Sequence, residues 1–163
     1  MNSREAIKNA MSTSEMVCMA YLNDMNDDEL MMRPQQDCNH INWQIGHLIA
    51  SDHQMVSGCL PDAMPALPEG FAEKYTRETC TKDNAAEFCN KEELFSVYKQ
   101  QRSAAQAALD KLSDDDLDKP TPEEMKAYAP NVGAAFSMLG SHWLMHAGQW
   151  AVVRRQTGKP IVM

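Results

Sequence analysis

At 163 residues the chain has the length of one domain with room for a sizeable buried core, and residues 1–163 are expected to form a single domain. A net charge of −8, with 15 basic residues against 23 acidic ones, offers phosphates no basic groove and argues against nucleic acid as a partner. The five cysteines form no CxxC pair, no stretch approaches 18 apolar residues, and the opening residues carry no signal-peptide run. No membrane association is expected, and reduced thiols in a cytoplasmic location are.

In chain order, Ser3 caps a first helix running to about Asn23, with Ala6, Met11, Cys18 and Leu22 at helical spacing. An acidic turn, NDDELMMRP, follows. Asn42 caps a second helix, carrying INWQIGHLIASDHQMVSG and stopping near Gly58. The stretch from Gly58 to Asn90, with Pro61, Pro65, Pro68 and Gly70, exceeds ordinary connections, and long loops of this kind are disordered or line a site. Phe71 and Tyr75 imply that it packs.

Asn90 with Glu93 starts a third helix, whose Leu94, Val97, Tyr98, Ala105, Ala108 and Leu112 share one side. A second acidic turn, SDDDLDKP, precedes a fourth helix from Val132 to Thr157, bounded by Pro130 and Asn131 before it and Gly158 and Pro160 after it. Arg154, Arg155 and Lys159 there offset the helix macrodipole. No segment sustains the alternation of a strand, so the fold class is all-α: a four-helix bundle with a long loop between helices two and three. Each acidic turn follows one helix and precedes another, which hints at a duplicated hairpin, although the rest of the two halves does not align. The thirteen methionines make an adaptable interior, more often packing than a ligand pocket.

His142 and His146 lie four apart on helix four, a spacing that puts two imidazoles on one face with Cβ atoms roughly 6 Å apart. They belong to a stripe of Ala135, Leu139, His142, His146, Gln149 and Val153 that should face the core. A lone core histidine is usually just hydrogen-bonded, but burying two neighbours without partners costs on the order of 1–3 kcal/mol each, which a shared divalent cation removes. His47, in the second turn of helix two, is the natural third ligand. Periodicity leaves it undecided, since it lies to one side of the Ile41, Ile45, Leu48, Asp52 and Val56 stripe, with Trp43, Ala50 and Gln54. His40 and His53 are expected to be exposed rather than ligating.

Asp52 is either an outer partner of the ligands, a general base, or a buried carboxylate paired with arginine, the commonest outcome. Gln149 either hydrogen-bonds a ligand or ties the bundle together. Trp143 stands where the HExxH zinc-protease pattern needs its glutamate, which excludes peptide hydrolysis by that route. No catalytic side chain is assigned.

The NWQIGHL segment, the LPEGFAEKY loop, the KEELF helix start, the SDDDL turn and the HxxxHxGQ run followed by RRQTGKP together resemble the DinB-like, or YfiT-like, superfamily of metal-dependent bundle proteins. The likeness covers nearly the whole chain. It implies that His47, His142 and His146 bind a divalent ion, zinc or nickel, in a protein that is frequently a homodimer. Relatives with a known reaction include transferases and isomerases that use a low-molecular-weight thiol such as bacillithiol, mycothiol or glutathione. Three neutral imidazoles leave an ion its full charge and an open position, as in catalytic sites. The leading expectation is therefore a metal-dependent thiol transferase acting on a small electrophilic molecule that approaches under the loop between residues 58 and 90. The alternatives are a metal-dependent hydrolase of a small substrate, a non-catalytic metal-binding stress-response module, and a bundle whose histidines are merely hydrogen-bonded.

Overall fold

The computed structural model describes residues 1–161, which are largely helical and contain no β-strand. Six α-helices run in chain order: α1 (Ser3–Leu22), α2 (Asp27–Leu30), α3 (Ile41–Cys59), α4 (Lys91–Asp110), α5 (Asp114–Leu117) and α6 (Val132–Gln156). Four of these are long. The acidic turns condense into the one-turn helices α2 and α5, each opened by a reciprocal capping box, Asn26 with Glu29 and Ser113 with Asp116.

The expected cap is right for α4 (Asn90 with Glu93) and displaced for α1 and α3, and Asn131, expected only to precede α6, caps it. Asn2 rather than Ser3 caps α1, in a box with Glu5. His40 rather than Asn42 caps α3, its Nδ1 accepting from the Trp43 amide at 2.9 Å. Asn42 falls inside the first turn and instead donates its side-chain amide to the Cys89 carbonyl at 2.7 Å, tying α3 to the start of α4. The cap thus goes to a ring nitrogen that sequence reading overlooks, because imidazole is an infrequent cap.

The core forms two apolar clusters, one around Trp143, Trp150, Ile45 and Leu94, the other around Phe136, Leu139, Leu109 and Met11. A polar layer lies between them, and every long helix contributes: Ser14 from α1, Asp52 from α3, Arg102 from α4 and the Gly140 carbonyl from α6, which accepts from Ser14 Oγ at 2.9 Å. Arg102 reaches the Leu139 carbonyl at 3.1 Å and Asp52 at 3.6 Å. The order in which each helix meets the clusters gives the topology. α1 and α6 run one way and α3 and α4 the other; α1 packs along its parallel neighbour α6, and α3 packs along α4 and α6, so the consecutive helices α1 and α3, and α4 and α6, are antiparallel but face each other across the core, joined by the links that contain α2 and α5. The expected duplicated helical hairpin is therefore not formed as a packed pair in either half.

Joining α3 to its parallel neighbour α4 requires the chain to travel back along the bundle, roughly 30 Å for a helix of this length. That is why residues 60–90 are long. They are ordered, with short 3₁₀ turns at Ala72–Tyr75 and Ala85–Glu87, and they bury Phe71, Tyr75 and Phe88. Tyr75 lies directly over Gly46: a Cβ at that glycine would sit 2.3 Å from the tyrosine ring, so only glycine admits the contact. The far end of α6 is locked by Arg154, which is 1% exposed and bonds Asp24, the Tyr21 carbonyl at 2.7 Å and the Pro160 carbonyl at 2.9 Å. Lys159 donates to the Asp24 carbonyl at 2.8 Å. These cations therefore clamp α6 to the end of α1 instead of simply offsetting a dipole.

Candidate metal centre

His47, His142 and His146 converge on the seam between α3 and α6, and their candidate ligand nitrogens all lie within 4.8 Å of one another. Ring centroids are 5.1 Å apart for His142 and His146, 5.4 Å for His47 and His142, and 6.0 Å for His47 and His146. All three rings are half-buried. On α6 the stripe is rotated from expectation. Trp143, Ala147 and Trp150 fill the interior, while His142, His146 and Gln149 lie at its edge, where a ligand can reach them.

Burial holds His47 and His142 below the usual imidazole pKa, and His142 adds to the effect on His47. His146 is pushed down to about 4 by burial and then by its two neighbours. Neutral imidazoles are the form that donates a lone pair to a metal.

His146 also has a fixed tautomer. Its Nδ1 is 2.8 Å from Gln44 Oε1, and the same oxygen accepts from Trp150 Nε1 at 2.9 Å. An indole N–H only donates, so the Gln44 atom facing it must be the oxygen, and His146 Nδ1 must carry its proton. Nε2 is then left with its lone pair. Gln44 is itself fully used, with Nε2 donating to the Asn39 carbonyl at 2.7 Å and to Gln149 Oε1 at 3.1 Å. Gln44 is 0% exposed and lies one turn before His47. Sequence reading passed over it; its only signal is that register on α3. Gln149 does not touch an imidazole in this network but steadies Gln44, which does.

His47 stacks face to face on Trp43, centroids 4.9 Å apart and planes 7° apart. Trp43 Nε1 in turn donates to Thr79 Oγ1 at 3.0 Å and the Thr76 carbonyl at 3.2 Å, so residues 60–90 fix the plane of the ligand ring from behind. Asp52 accepts from Trp143 Nε1 at 2.9 Å and pairs with Arg102. Burial outweighs both contacts and pushes its carboxyl up to about 7. It holds α3, α4 and α6 together in the polar layer, the commonest of its three expected roles.

The expectation for the other histidines needs correction. His40 is 0% exposed, edge-on to Phe88, because capping α3 draws its ring inward. His53 is half-buried, with Nδ1 3.0 Å from Gln101 Oε1. Neither joins the cluster.

A cavity of about 300 Å³ opens against His47 and His142. Its covering residues are Glu124, Met125 and Tyr128, from the connection between α5 and α6; of residues 60–90, none lines it. Of the 58–90 stretch expected to cover the approach, Gly58 alone lines this cavity, while residues further on pack on α3 through Tyr75 and Thr79.

Fold and residues together define an all-α bundle protein with a metal-type histidine cluster on the seam of two helices. The chain belongs to the DinB superfamily, whose family model matches residues 10–150, a span that takes in all three histidines and both loops. No curated protein and no solved structure matches the chain significantly. Among the described residues, no helix is long and apolar enough to cross a membrane.

Proposed function

We propose that this protein is a divalent-metal-dependent enzyme that joins a low-molecular-weight thiol to a small electrophile. The observation that supports it is the convergence of three neutral imidazoles beside a cavity of substrate size. The donors suit the ion. All are nitrogens, one has its tautomer set by a buried amide, and the cavity leaves one side of the cluster open to a further ligand. Zinc and nickel both accept such a set. When bound, the ion supplies a positive centre that lowers the pKa of a coordinated nucleophile.

The chain's own residues do the rest. His47, His142 and His146 would hold the ion, Gln44 keeps the His146 proton on Nδ1, and Trp43 holds His47 in plane. Among the described residues lining the cavity, Glu124 is the one carboxylate, and its presence favours a second reading, hydrolysis, in which it would take a proton from attacking water. A resident ion in a homodimer without catalysis is the remaining outcome.

Thermal denaturation of the zinc-loaded protein against a panel of thiols separates these. The thiol reading predicts stabilisation by at least one thiol that is absent in His47→Ala, because ligands binding only the native state raise its stability. No stabilisation by any thiol, together with cleavage of activated esters that Glu124→Gln slows, would replace it with the hydrolytic reading.

A further inference from the structure

The cavity beside the histidines is not a round pocket. On α3 it is lined by His47, Ser51, Met55 and Gly58, successive positions on one face of the helix, and this run covers roughly 16 Å at 1.5 Å per residue. On α6 the facing wall is Met138 and His142, one turn apart. The imidazoles therefore stand at one end, and the other end is bounded by Gly58 with Met125 against it.

The wall changes character along its length. Beyond the imidazoles Ser51, Gln54 and Tyr128 add uncharged polar groups, and three thioethers, Met55, Met125 and Met138, supply side chains whose flexibility and polarizability let them adapt to an apolar chain. Among the described lining residues none is lysine or arginine, and Glu124 is the one charged side chain, so an anionic group placed away from the ion would meet a carboxylate and no counter-charge. Gly58 sets the far limit. A Cβ at that position would sit 3.1 Å from Met125 Sδ, so any side chain there would press into that end.

We propose that the ligand reaching the ion carries an uncharged, apolar, flexible tail that lies along α3 away from the imidazoles, with the Gly58–Met125 end limiting the length of tail that fits. The inference rests on the metal-dependent reading above and names the substrate class of that site.

Cobalt-loaded protein titrated with ethanethiol, butanethiol and hexanethiol tests it, because a thiolate on cobalt adds a charge-transfer band whose growth gives Kd. Each buried methylene is worth about fourfold, or ~0.8 kcal/mol. Hexanethiol should therefore bind on the order of a hundredfold tighter than ethanethiol, and 6-mercaptohexanoate at least about tenfold weaker than 6-mercaptohexanol. Gly58→Leu gains helix propensity but pushes on the flexible end of Met125, so the variant is compared only with its thermal melting matching the wild type. It should erase the advantage of hexanethiol while leaving the ethanethiol Kd in place.

A band whose Kd is the same across the series, or a gradient that survives Gly58→Leu, overturns the tail inference and leaves the metal-dependent reading standing. Absence of a band with every thiol overturns the thiol reading instead. The tail is then decided by hexanol: the methyl NMR signals of Met55, Met125 and Met138 must shift for the inference to stand, and shifts confined to other methionines sink it.

Discussion

Two connections flank the histidine cluster, and they do opposite work. Residues 60–90 pack along α3, bury Phe71, Tyr75 and Phe88, and hold the helix that carries His47 through Tyr75 over Gly46 and Thr79 on Trp43. Residues 118–131 cover the cavity from the front. They are tied at their base by the Pro120–Asn131 bridge and the Val132 amide on the Lys119 carbonyl at 3.0 Å, bury Met125 and Ala129 in the second cluster, and leave Tyr128 53% exposed. The longer connection is scaffold and the shorter one lines the cavity beside the histidines. Length reflects the topological need to join parallel helices, whereas function follows which wall of the seam a segment covers.

That contrast can be broken first at its strongest point. Phe71→Ala should cost about 3–5 kcal/mol, the usual loss for a buried phenylalanine, and a urea unfolding curve will show it. A loss below about 1 kcal/mol would mean that residues 60–90 are not the scaffold described. Tyr75→Phe is subtler. The hydroxyl accepts from the Cys89 amide at 3.1 Å, so its removal strands a buried N–H and should cost about 1–3 kcal/mol in the same measurement.

Gln44→Leu sharpens the contrast from the ligand side. It removes the acceptor that holds the His146 tautomer, and metal competition should find affinity down about 10–100-fold with the helical circular dichroism retained. An unchanged affinity would show that the tautomer is set some other way.

The pH dependence of metal-free protein gives a smaller effect with a definite sign. Folded His146 takes up its proton only near pH 4, while an unfolded imidazole does so near 6.5. Its contribution to stability is thus whole above about pH 6.5 and lost as pH falls towards 4. Relative to His146→Gln, the wild type should lose stability on acidification across that window, and parallel stability curves would count against the burial of the cluster. Tyr128→Ala, on the front segment, should change stability by less than about 0.5 kcal/mol while weakening ligands that fill the cavity.

Much of this was legible before any coordinates. His142 and His146 share one helix, so their spacing alone fixes their relation, and the capping pair of Asn90 with Glu93 is local chemistry. His47 was different. Its place depends on how α3 is rotated against α6, which periodicity left undecided and family likeness supplied. Gln44 and His40 were invisible for a related reason: a buried amide or imidazole is recognised by its partners, and those lie on other elements. The cavity wall is half-visible, since Gln54, which lines it, lies with His47 to one side of the apolar stripe of α3, but nothing in the sequence says that Met125 comes to face it.

Metal content tests the central claim most directly. Zinc-reconstituted, desalted protein should retain about one ion per chain, and His47→Ala and His146→Ala should each retain far less while staying folded. Wild-type protein that holds no ion above background, or variants that hold as much as the wild type, would contradict the assignment of these three imidazoles as a metal centre.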